Sequence, residues 1–87
     1  MASIDEHVQD CINQLGEPYR EVHEWLDAFF PVRRSHHRIM RHHDEGIEEA
    51  RKKWGDQAAI AAHIHVLKDC SGKIPTREEA ILFDILS

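Results

Sequence analysis

Apolar residues recur at helical spacing along almost the whole chain, and glycine or proline closes each run. The first stripe is Ile4, Val8, Cys11, Ile12 and Leu15. It follows Ser3-Ile4-Asp5-Glu6, a capping box in which the Ser3 hydroxyl accepts the Glu6 amide and Glu6 reaches back to the Ser3 amide. Gly16 and Pro18 end that helix. Pro18 suits a first helical position, and Val22, Trp25, Leu26, Phe29 and Phe30 predict a second helix that Pro31 stops. From Val32 to Trp54 the pattern predicts one long helix. Val32, His36, Ile39, Met40, His43, Ile47, Ala50 and Trp54 fall within about 60° of one line at 100° per residue. Gly46 sits at the edge of that face, where another helix could approach closely, and Gly55 is the stop. Asp56 caps a fourth helix over Ala58–Cys70 with Ile60, Ile64 and Leu67 as its stripe, although Ile64-His65-Val66 also alternates as a strand would. Thr76-Arg77-Glu78-Glu79 is a second capping box, with Pro75 just outside it and Ala80, Ile81, Leu82, Ile85 and Leu86 behind it. The expected fold is all-α, a small bundle of four to five helices, with residues 1–87 as a single helical domain.

Eighty-seven residues, 41% of them hydrophobic, supply one core and not two. No run approaches the roughly 20 apolar residues of a membrane helix. The start of the chain turns acidic at once, without an apolar signal region. Cys11 and Cys70 stand far apart with no C-x-x-C, so both read as free thiols and the expected compartment is the cytoplasm. The net charge of −5 is unevenly spread: residues 1–30 hold seven carboxylates against Arg20 alone, whereas residues 31–43 hold Arg33, Arg34, Arg38 and Arg41 and no acid. Internal charge complementarity explains this better than a phosphate-binding stripe. Only Arg34, Arg38, Arg41 and His42 point away from the apolar face, no aromatic residue interleaves them, and Asp44, Glu45, Glu48 and Glu49 follow. Weak nucleic-acid binding is therefore a minor alternative, and nothing suggests a membrane partner.

Eight histidines are the anomaly. Metal ligands on one helix sit at i and i+3 or i+4, where side chains stack on one face. No two histidines have that spacing, which excludes an H-E-x-x-H zincin. His36 and His43 share a face but lie about 10 Å apart along the axis. Two histidine–carboxylate pairs do fit: His23 with Asp27, and His65 with Asp69. Either could hold a divalent ion, or the aspartate could orient the imidazole from behind. Either could equally be a surface ion pair, and His36 and His43 could be neutral core histidines. His7 and His37 read as solvated. His43-Asp44 spells the dipeptide of HD-type metal phosphohydrolases, a weak signal in so short a chain, since Asp44 lies about 100° round the helix from His43.

The stretches H-E-W-L-D at 23–27, H-R-I-M-R-H-H-D-E-G at 37–46, H-V-L-K-D at 65–69 and G-K-I-P-T at 72–76 resemble a family of small uncharacterised proteins from bacteria and their phages. The resemblance covers roughly residues 17–80. That family is a domain of unknown function, so the resemblance implies no activity. It does draw attention to His23, Trp25, Asp27, His37, Arg38, Arg41, His42, His43, Glu45, Gly46, His65, Asp69 and Pro75, and away from His36 and Asp44.

These readings converge on a His/Asp cluster contributed by three helices. Its candidate ligands for a divalent metal (Zn, Fe, Ni or Mn) are His23, Asp27, His42, His43, His65 and Asp69, with His43, His65 and Asp69 at the centre. The competing class is a non-enzymatic interaction module with structural histidines. The apolar supply at Ala28-Phe29-Phe30 and Ile81-Leu82-Phe83 exceeds what one small bundle buries and suggests a homodimer. An HD-like phosphohydrolase is the remaining alternative, and no small-molecule substrate is indicated.

Overall fold

The computed structural model of the chain describes residues 3–28, 41–70 and 72–86, the last four of these by backbone alone. Among the described residues there are five helices and no strand: α1 (Ile4–Leu15), α2 (Arg20–Leu26), α3 (Asp44–Trp54), α4 (Asp56–Asp69) and α5 (Arg77–Leu86). The expected all-α bundle is therefore the fold. The positions Phe29, Phe30, Arg33, Arg34, His36, His37 and Arg38, and the side chain of Phe83, lie outside the described residues.

Local chemistry explains the helix ends. At α1 the Glu6 amide donates to Ser3 Oγ at 3.2 Å, while the Glu6 carboxylate takes the Ser3 hydroxyl rather than the expected Ser3 amide. Gly16 closes the helix at φ 80° with its amide on the Ile12 carbonyl. At α5 the capping box is fully reciprocal, both Thr76–Glu79 hydrogen bonds measuring 3.0 Å. Helix α2 is shorter than the expected Pro18–Phe30. It starts after Tyr19, which holds φ 47°, and ends at Leu26 with Asp27 as its C-cap.

The expected continuous helix from Val32 to Trp54 is broken. His43 is extended (φ −157°, ψ 177°) and caps α3, its Nδ1 accepting the Gly46 amide at 3.0 Å. The Asp44 amide donates to the Pro75 carbonyl at 2.9 Å, and Asp44 Oδ1 accepts the amides of Glu45 and Arg77. Gly46 is what permits the break, because a Cβ there would overlap the Arg41 carbonyl. Its missing side chain makes room for the backbone of Arg41, five residues earlier in the chain.

Helix α4 packs against α1, α2 and α3, and α1 also packs on α2. It is helical through Ile64-His65-Val66, which removes the strand alternative, and Gly55, not Asp56, stands at its N-cap. Its buried face also differs from the expected isoleucine stripe. Ala58, Ala59, Ala61, Ala62, His65, Val66 and Asp69 point inward, while Ile60 is 42% exposed. Alanines let three helices approach this one closely, and the space left further along α4 is filled by imidazole rings. After Leu26, the largest wholly buried side chains are His7, His23, His42, His43 and His65. Outside this core Arg41 lies over the Trp25 ring at 4.2 Å and donates to the Trp25 carbonyl at 2.6 Å, and Trp25 meets Trp54 edge-on. That use of Arg41 replaces the outward-facing role expected for it.

Candidate metal centre

Three segments deliver four polar side chains to one point. Asp27 projects from the cap of α2, His42 from the break before α3, and His65 and Asp69 from one face of α4. His65 Nε2 lies 3.0 Å from His42 Nε2, 3.1 Å from Asp27 Oδ1 and 3.3 Å from Asp69 Oδ2. His42 Nε2 lies 3.2 Å from Asp27 Oδ1 and 3.1 Å from Asp69 Oδ2. Thus five of the six separations among four donor atoms fall within 3.0–3.3 Å.

Proton counting shows what this cluster lacks. A neutral imidazole carries one N–H, so the two Nε2 atoms bring at most one proton each to five close contacts. At least three contacts would then have no proton of their own in a buried site, where unmet polar groups are costly. A cation among the four atoms makes all of them favourable. Two carboxylates also balance a divalent charge. A regular tetrahedron with edges of this length has its centre about 1.9 Å from each corner, close to the roughly 2.0–2.1 Å of a zinc–imidazole bond. The donors therefore fit a metal ion.

Electrostatics agrees with the geometry. Burial opposes ionisation of Asp69, but contacts from His42, His65 and His7 outweigh it and hold its carboxyl well below the usual carboxylate range. Burial likewise disfavours a charged His65, yet Asp27 and Asp69 beside it raise its pKa. The group attracts positive charge, either as protons or as a metal.

Two more imidazoles buttress it. His7 is wholly buried, stacked on His65 with centroids 3.5 Å apart, and its Nε2 lies 3.2 Å from Asp69 Oδ1. This overturns its expected solvated position. It precedes Cys11 by four residues and so shares the buried face of α1, a signal present in the sequence but masked by its polarity. His23 turns its Nδ1 to His65 Nδ1 at 2.9 Å and its Nε2 to Cys11 Sγ at 3.1 Å. Burial first, then the neighbouring His65 and His7, lower the pKa of His23 to about 4.

Of the sequence candidates, His23, Asp27, His42, His65 and Asp69 come together. His43 does not join the four-atom cluster, because its Nδ1 is committed to the α3 cap. The break that turns His43 to that duty carries His42 inward. The His65–Asp69 pair closes across one turn as its spacing suggested. Asp27 instead reaches across to α4 and His42; His23, His65 and Asp69 are buried and Asp27 is half-buried, so neither pair is a surface ion pair. Asp44 is held by backbone amides, which removes the structural basis of the HD reading. The groove lined by Asp44, Glu45, Ile47, Glu48, Glu49, Arg51, Lys52, His63 and Ile74 shares no residue with the cluster.

Fold and site together define a small all-helical protein built round a buried histidine–aspartate cluster able to hold a metal ion. The chain belongs to the family described as domain of unknown function DUF6915, whose model matches residues 3–82, a wider span than the motifs alone covered. No curated protein and no solved structure shows significant similarity to it.

Proposed function

We propose that this chain is a divalent-metal protein in which Asp27, His42, His65 and Asp69 hold one zinc-like ion in a closed site, as its four ligands among the described residues. The single observation that carries the reading is the set of five donor separations of 3.0–3.3 Å, more close contacts than the available protons can satisfy. Burial supports a closed site: the side chains of His42, His65 and Asp69 are at most 1% exposed and that of Asp27 is 9% exposed. Structural metal sites are closed, whereas catalytic ones keep a position open. The ion then ties α2, the turn before α3, and α4 into one unit.

The test is metal analysis of protein purified without a nickel column, then stripped with chelator and reloaded. About one ion per chain and a rise in Tm with zinc are expected. Substoichiometric metal and no thermal shift with Zn, Mn or Fe would overturn the reading. The same five separations also fit an octahedron with the carboxylates opposite each other, about 2.2 Å from the centre, leaving two neighbouring positions for water. Cobalt substitution separates the geometries. Intense visible bands support the closed tetrahedral site, and weak ones would transfer the assignment to an open iron or manganese centre.

A further inference from the structure

Behind His65 runs a line of donors and acceptors that the metal ligation itself does not use. His65 Nδ1 and His23 Nδ1 are 2.9 Å apart, and His23 Nε2 and Cys11 Sγ are 3.1 Å apart, all three residues being wholly buried. One proton must lie between the two Nδ1 atoms, and if His65 gives the lone pair of its Nε2 to a metal, its only proton sits on Nδ1. His23 Nδ1 is then an acceptor. A neutral His23 carries its own proton on Nε2, which faces the Cys11 sulfur.

We infer that His23 and Cys11 are positioning residues of the metal centre, in a relay where His65 Nδ1–H donates to His23 Nδ1 and His23 Nε2–H donates to Cys11 Sγ. This rests on the metal reading above. The relay holds the His65 ring in the tautomer and orientation that expose Nε2 to the ion, as outer partners of metal-bound histidines do. His7, stacked on His65, restricts rotation of the same ring. Cys11 thereby has a role beyond that of the small hydrophobe its neighbours suggest.

The direction of the relay is readable from 15N chemical shifts of the imidazoles in zinc-loaded protein. His23 should show a protonated Nε2 and an unprotonated Nδ1, and His65 a protonated Nδ1. A protonated His23 Nδ1 in the loaded protein would overturn the relay while leaving the metal site intact, and absence of metal uptake would overturn both. Chelator competition adds a second readout. His23→Leu, which removes the acceptor, should weaken zinc binding about 10–100-fold. His23→Gln, whose side-chain oxygen can accept from His65 Nδ1–H, should recover most of that loss. Equal affinities for His23→Leu and the wild type would overturn the positioning role.

Discussion

At the scale of single residues, the same side-chain type serves four ends. His65 and His42 face the centre of the cluster, His23 supports His65 from behind, His7 covers it, and His43 caps a helix. Asp69 concentrates the energetics, because three imidazoles surround its buried carboxylate. Asp69→Asn should remove zinc binding and, in chelator, destabilise the fold by about 3–5 kcal/mol, the usual cost of leaving buried charged partners uncompensated. Urea titration with and without zinc measures both effects. Cys11 gives a second residue-scale prediction. Burial, and then Asp10, push its pKa to about 11, so it should resist thiol reagents in native protein at neutral pH while half-buried Cys70 reacts first. Denaturation should make the two react alike. The His65–Asp69 pair was legible in the sequence because an i, i+4 spacing fixes geometry within one helix. The roles of His42 and His43 were not, because one residue of register decides which of two adjacent rings turns inward.

At the scale of elements, the decisive feature is the break before α3. An alanine in an ordinary helix interior is better than glycine by about 1 kcal/mol. At Gly46 the sign should reverse, since a methyl group would meet the Arg41 carbonyl. Gly46→Ala is expected to cost about 1–3 kcal/mol and to weaken zinc binding by displacing His42, as read by thermal melts and chelator competition. Apolar periodicity ran straight through this break, because Ile47, Ala50 and Trp54 keep helical spacing with the residues before it. Periodicity records which residues face one side and is silent on where the backbone stops being helical. Capping boxes served better: Ser3 and Thr76 both cap where their motifs stand, since the motif is the local hydrogen-bond geometry itself. On α4 the isoleucines suggested one face and the alanines occupy another. Close packing by three neighbouring helices favours the smallest side chains, and only the assembled bundle reveals how many neighbours there are.

At the scale of the whole molecule, the proposed metal centre would couple metal binding to folding, because its ligands come from separate segments. Zinc at a hundredfold excess over its Kd should add about 2.7 kcal/mol, which for a domain of this size raises Tm by roughly 10–20 °C. Metal-free protein should be acid-sensitive through His23. Below 6.5 the unfolded chain takes up a proton there, whereas the folded chain refuses it down to about 4, so this contribution falls as pH drops from 6.5 to 4. His65 works in the opposite sense. Its raised pKa favours the folded state at low pH, and that contribution is lost as pH rises through the folded value. Comparing denaturation of the wild type and His23→Gln in chelator isolates the first effect as a slope that the variant lacks between pH 6.5 and 4.

The helical class, both capping boxes and the His65–Asp69 pair were legible in the sequence, because each depends on residues within one or two turns of one another. The sequence also marked histidine as the residue to follow. That Asp27 reaches α4, that His42 joins the cluster while His43 caps α3, and that His7 is buried emerged from the packed bundle alone. Those outcomes depend on contacts between separate helices, which spacing along one helix does not encode.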